Sequence, residues 1–125
     1  MTSLSDDALL DRVQRQTLRY FWNFGHPASG MARERSNPVP GYDFRDTVTT
    51  GGSGFGIMAM IAGAARGFLP RDEVRKRVAR IVDFLAHAER HHGVLPHFLH
   101  GASGTTIPFS PADDGGDLVE TAFLI

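Results

Sequence analysis

Four carboxylates crowd into eight positions of the stretch DDGGDLVE: Asp113, Asp114, Asp117 and Glu120. Asp117 and Glu120 are three apart, so on a helix starting near Gly116 they share a face, with Asp113 and Asp114 close to the helix N-terminus. An acid at a helix start often does no more than cap it, and for Asp113 and Asp114 that reading stands evenly beside a binding role. Glu120 is different. It stands among Leu118, Ala122 and Phe123, where a carboxylate is either paired or pushed up in pKa, and a second carboxylate at Asp117 pushes further. A carboxyl that keeps its proton near neutrality is what a general acid requires.

Two other stretches invite chemistry. TTGGSGFG precedes a helix, as phosphate-cradling loops do, but Gly52, Gly54 and Gly56 are spaced G-x-G-x-G rather than G-x-G-x-x-G. No Lys-Ser/Thr pair follows, so nucleotide binding is disfavoured. Bare backbone there instead lets a neighbour or a ligand hydroxyl come close, which keeps Gly52 and Ser53 as binding candidates. Among the six histidines, His87 and His91 are spaced i, i+4, yet no H-E-x-x-H is present and no fixed spacing links them to His97 and His100. No metal and no cofactor are expected. His97, in LPHFL, is retained as a ligand-contacting residue.

The elements that must position these groups read as helices separated by long polar loops. SDDALLDRVQRQTLRYFWNF carries Leu10, Val13, Thr17, Phe21 and Phe24 at spacings of three and four, predicting a helix over 5–24 capped by Ser3 or Ser5. A second helix follows TTGGSG, with Ile57, Ile61, Ala64 and Phe68 on one face and small residues elsewhere, as an inner helix would have. A third, in PRDEVRKRVARIVDFLAHAER, places Val74, Val78, Ile81 and Leu85 on one stripe against a basic outer face. A fourth, with Leu118, Ala122, Phe123 and Ile125, runs to the end of the sequence. Within the loop before it, HFLHGASGTTIPF reads as two short strands around a Gly/Ser turn. Helices alternating between amphipathic outer and small-residue inner character predict an all-α class with paired layers, as in an α/α toroid.

Composition narrows the partners. With 125 residues, 42% hydrophobic and 22% charged, the chain holds one modest core, and thirteen basic against fourteen acidic residues leave a net charge of -1. That balance offers no field for nucleic acid or an anionic membrane. There is no cysteine, hence no disulfide or thiolate chemistry. No signal peptide is visible, which leaves location open while favouring the cytoplasm over the periplasm.

TLRYFWNFGHPASGMARERSN, VTTGGSGFGIMAM, GVLPHFLHGASGTTIPFS and DDGGDLVETAFL, in that order, resemble the N-terminal part of the bacterial glucoamylase-like glycoside hydrolases, the group containing the family 144 endo-β-1,2-glucanases. The similarity runs from Thr17 onward. It implies an (α/α)6 toroid, of which residues 1–125 supply the first four helices of a single domain, and hydrolysis of β-1,2-glucan with inversion. It matches Asp114, Asp117 and Glu120 to the acids of the family's DGGDLVET motif. Members are several times longer, so the resemblance also implies that the rest of the domain lies C-terminal to this chain, and that this chain alone is inactive and folds poorly.

Glycoside chemistry then sets a geometric condition. An inverting enzyme holds its two carboxyls roughly 6.5 to 9.5 Å apart, whereas residues three apart on a helix have Cβ atoms only about 5–6 Å apart. Asp117 and Glu120 are therefore expected to share the catalytic work with a carboxylate outside residues 1–125. Expected to bind substrate are Asp113, Asp114, His97, Gly52, Ser53 and the group Arg33, Glu34 and Arg35, whose planar forks suit vicinal hydroxyls and equally suit a buried ion network. Phe44 or Phe55 could stack on a sugar; Trp22 is favoured as core. The competing readings are a sugar-binding protein without catalysis and a related toroid enzyme acting on another glucan, such as the domain attached to cyclic glucan synthases.

Overall fold

The computed structural model describes residues 4–125 and consists of four helices around a small antiparallel sheet: α1 (Asp6–Asn23), β1 (Thr47–Thr49), α2 (Thr50–Ala65), α3 (Arg71–His87), β2 (Phe98–His100), β3 (Thr106–Ile107) and α4 (Leu118–Leu124). Ser5 caps α1, accepting a hydrogen bond from the Ala8 N–H at 3.3 Å. The alternative cap, Ser3, lies outside the described residues.

α2 is the centre of the arrangement and packs against α1, α3 and α4. Its buried positions are mostly small: Gly51, Ser53, Gly54, Gly56 and Gly63, with Met60 the large exception. Small residues let neighbouring backbones approach closely. A Cβ at Gly56 would press on the Phe21 ring of α1, and one at Gly54 would overlap the Phe123 carbonyl of α4. The inner character of this helix is as expected, and of the expected face Ile57, Ala64 and Phe68 are packed against the core while Ile61 is not. Ile61 is exposed, helix α2 ends before Phe68, and glycines rather than large apolar residues mark the covered side.

α3 matches its sequence pattern, burying Val74, Ile81 and Leu85 with Val78 partly covered. α1 departs from it. Leu10 and Val13 are exposed, and the helix is seated instead through Leu18 and the partly buried Trp22. Core side chains from all three, with Met31, Val48, Leu95 and Leu99, form one cluster.

The expected hairpin is present as β2 and β3, with Phe98 opposite Ile107 and Leu99 opposite Thr106. A third strand, β1, joins it in the order β1-β2-β3, pairing Thr47 with His100, Val48 with Leu99 and Thr49 with Phe98. Val48 and Leu99 point into the core, both fully buried. β1 runs directly into α2, so this sheet fixes where the N-terminus of α2 sits, and α4 is docked beside it.

Candidate active site

α4 begins at Leu118, so Asp117 is not a helical residue but the N-cap: its Oδ1 accepts from the Glu120 N–H at 2.9 Å. This corrects the expectation that Asp113 or Asp114 caps the helix and that Asp117 and Glu120 both project from its face. Asp113 is held in a turn with Ser110, while Asp113 and Asp114 side chains are exposed.

Glu120 reaches across to α2. Its Oε2 accepts from the Gly51 N–H at 2.8 Å and lies 3.3 Å from the Thr49 hydroxyl. Of the two fates open to a carboxylate among apolar neighbours, this one is paired. The first-turn N–H groups of a helix have no partner within the helix, and an incoming carboxylate satisfies one of them.

Asp117 also holds His97. The His97 Nδ1 and Asp117 Oδ2 are 2.9 Å apart, which orients the imidazole. The Glu120 N–H holds the Asp117 carboxyl below the ordinary carboxylate range; partial burial opposes this, and the His97 contact adds to it. Asp117 is therefore ionised at neutral pH, suited to accepting hydrogen bonds rather than to donating a proton. The His97 ring is flanked by Phe98 at 4.4 Å and Phe109 at 4.6 Å between centroids.

The Arg-Glu-Arg group divides into two. Arg33 is spent on the backbone, its Nε donating to the Arg45 carbonyl at 2.8 Å and a second nitrogen to the Phe24 carbonyl at 3.0 Å. Arg35 grips Glu34 with two nitrogens and stacks over Tyr42. That grip, chiefly, keeps Glu34 below its usual pKa, against partial burial that would raise it. Glu34 is tied to β1, its N–H donating to the Thr47 carbonyl at 3.1 Å, while Arg33 serves the fold. Ser53 also serves the fold: it is buried, accepting from the Ala32 N–H at 2.9 Å and donating to the Thr49 carbonyl at 2.7 Å. Its hydroxyl is not turned to a ligand. Gly52 lies against the Thr49 side chain.

The structure thus brings His97, Asp117 and Glu120 to one end of the fold, where β1 enters α2 and α4 begins. Residues 12–109 match the family model described as protein of unknown function (DUF3131). This chain belongs to the DUF3131 family. It is 48% identical over 122 residues to an exo beta-1,2-glucooligosaccharide sophorohydrolase (non-reducing end) from Parabacteroides distasonis, covering 97% of this chain and 16% of that protein. It superposes with a TM-score of 0.93 on the endo-beta-1,2-glucanase from Chitinophaga pinensis in complex with sophorotriose and glucose, at 46% identity over 98% of this chain and 30% of that one. A glucoamylase-like protein from Bacteroides fragilis NCTC 9343 superposes with a TM-score of 0.94 at 52% identity, again over 98% of this chain and 30% of that one. The DUF3131 chain thus spans less than a third of the length of these relatives, and carries part of the toroid that the resemblance implied.

A second polar cluster in the DUF3131 chain escaped sequence reading. His26, buried, places Nε2 3.2 Å from Asp46 Oδ1, and His100 places Nδ1 2.8 Å from Asp46 Oδ2. The Ala102 N–H adds a bond to Oδ1 at 3.1 Å. His26 Nδ1 accepts from the Ala28 N–H at 3.3 Å, so the neutral ring carries its proton on Nε2, facing Asp46. One carboxylate thereby ties the loop after α1 to both β1 and β2. No local pattern announces this: His26 follows a helix end and Asp46 sits in a polar loop, and only the sheet brings them together.

Proposed function

We propose that the full-length protein containing this chain is a glycoside hydrolase that cleaves β-1,2-glucan to sophoro-oligosaccharides, endo-acting and inverting, with residues 1–125 forming the N-terminal part of one (α/α)6 domain. The observation that carries this reading is the fastening of Glu120 to the Gly51 N–H beside the Asp117–His97 pair. That constellation stands in a chain segment close in sequence and backbone to a glucanase crystallised with sophorotriose and glucose. Glu120 serves in proton transfer. Asp117, held ionised, fixes His97 and accepts from a sugar hydroxyl, and exposed Asp113 and Asp114 line the approach. The Glu34–Arg35 pair and Gly52 complete the sugar-binding surface. The partner carboxylate that an inverting mechanism requires lies outside residues 1–125.

Product analysis by thin-layer chromatography tests this: the full-length protein and its Glu120→Gln variant are incubated with linear β-1,2-glucan. A ladder of short sophoro-oligosaccharides from the wild type and none from the variant is expected. No products from either, with glucan still bound, would overturn hydrolysis in favour of sugar binding. Exo action, favoured by the likeness to the sophorohydrolase, would release sophorose alone.

A further inference from the structure

The aromatic residues first considered for stacking on a sugar stack on groups other than His97, the imidazole that Asp117 holds. Trp22 lies against the core beneath the Arg77 guanidinium at 4.8 Å, Phe55 packs on Phe123 at 5.1 Å, and Phe44 faces Arg45 at 5.8 Å. A different ring stands at the site. Phe109 is 55% exposed, lies 4.6 Å from His97, and is stacked on Phe98 at 5.7 Å with 27° between the planes. Phe98 in turn stands directly opposite Thr49, so the two share a face of the sheet, and the Thr49 hydroxyl reaches Glu120. The ring stack therefore adjoins both candidate carboxylates, through His97 to Asp117 and along the sheet face to Glu120.

We propose that Phe109 is the platform on which one pyranose ring of the substrate lies, and that it helps to determine specificity for gluco-oligosaccharides. This rests on the glycoside hydrolase reading above. A β-glucosyl ring presents C–H groups on its face and hydroxyls at its edge, which suits an aromatic surface ringed by polar acceptors. Phe109 stands in a loop that carries such acceptors. Its N–H donates to the Asp113 carbonyl at 2.9 Å, and the exposed Asp113 and Asp114 side chains belong to the same loop. Leu118, Val119 and Phe123 on α4 are exposed too, but they form an apolar surface suited to covering by protein rather than by a sugar.

The test uses the full-length protein, with initial rates on linear β-1,2-glucan, calorimetric titration with sophorotriose, and a thermal melt for each variant. Phe109→Ala and Phe109→Leu should raise KM and Kd about five- to tenfold, with kcat changed less, while Phe109→Trp stays near wild type. Leu retains apolar bulk without a π face, so restoration by Leu would overturn the proposal, as would wild-type KM and Kd in Phe109→Ala. If Phe109→Ala does not fold, the Leu and Trp pair decides. A wild type that cleaves glucan beside an unaffected Ala variant sinks the platform alone. A wild type that neither binds nor cleaves overturns the hydrolase reading and the platform with it.

Discussion

The Glu120 carboxylate and the Gly51 N–H meet at 2.8 Å, joining the side chain of α4 to the first turn of α2. A Cβ at position 51 would stand 2.6 Å from Glu120 Oε2, closer than a real contact allows. Gly51→Ala should therefore turn the Glu120 carboxylate away while leaving the surrounding fold in place. The expected result is a fall in kcat of about ten- to a hundredfold on β-1,2-glucan, with KM little changed. The destabilisation should be about 1–3 kcal/mol by thermal melting. Unchanged kcat would show that this bond does not set the orientation of Glu120 for catalysis.

Asp117 combines two roles that a pair of substitutions separates. Asn caps a helix about as well as Asp, so Asp117→Asn should keep stability within about 0.5 kcal/mol while removing the charge beside His97. Activity should still fall by about a hundredfold or more. Asp117→Ala loses the cap as well, at a further cost of about 1 kcal/mol. Measured together, kcat and the melting temperature decide: full activity in the Asn variant would reduce Asp117 to a cap.

How much of this was legible depended on whether the signal was local. α3 could be read because its large apolar residues recur with the helical period and are the ones buried. α2 could be recognised as an inner helix and oriented only in part: Ile57 and Ala64 pack on the core as expected, but its fully buried positions are mostly glycine, serine and threonine, which carry no hydrophobic signal. The β2–β3 hairpin is local and was expected; β1 is three residues long and pairs with a strand some fifty positions away, which no nearby residue announces. In the site, Glu120, Asp117 and His97 were named from sequence. Their division of labour was not, because the start of α4 falls two residues later than the pattern suggested, turning Asp117 from a helical neighbour into the cap. Ser53 was read as a binding group because bare backbone around it lets a ligand hydroxyl come close, and Arg33 because a guanidinium suits vicinal hydroxyls, whereas backbone partners already occupy both side chains.

Acid should destabilise the protein in a way that His26 reports. Burial pushes this imidazole below its ordinary value of 6.5, against the Asp46 charge that raises it. The unfolded chain thus takes up a proton near 6.5, the folded chain only at lower pH. Between those points the unfolded state binds more protons, so stability rises with pH and is lost as pH falls below 6.5. Asp46 contributes separately. Burial would raise its pKa, but the bonds from His100 and Ala102 and the charge of His26 bring it below 3.8, so its share is lost only as pH falls beneath that value. Melting temperatures of the full-length protein between about pH 7.5 and 5 should decline more steeply in the wild type than in His26→Gln, which no longer titrates there. Parallel slopes would rule out the buried histidine as the source.

α2 and α4 approach each other closely at Gly54, where an added Cβ would overlap the Phe123 carbonyl and lie 2.8 Å from the Leu124 Cα. Both obstacles are backbone, so no side-chain rotation relieves them, and α4 would have to move, carrying Glu120 with it. On propensity alone, Gly→Ala inside a helix gains about 1 kcal/mol. Crowding against fixed backbone costs about 1–3 kcal/mol or more, so Gly54→Ala should be net destabilising. It should also lower kcat, because the displaced helix holds the Glu120 carboxylate. Gly67 supplies the control: it has φ of +71° and nothing within 4 Å, so Ala there meets backbone strain without any clash at the site. Gly67→Ala should lower the melting temperature and leave kcat unchanged. If Gly54→Ala instead raised the melting temperature with activity intact, the close seating of α4 on α2, and with it the delivery of Glu120 to Gly51, would have to be abandoned.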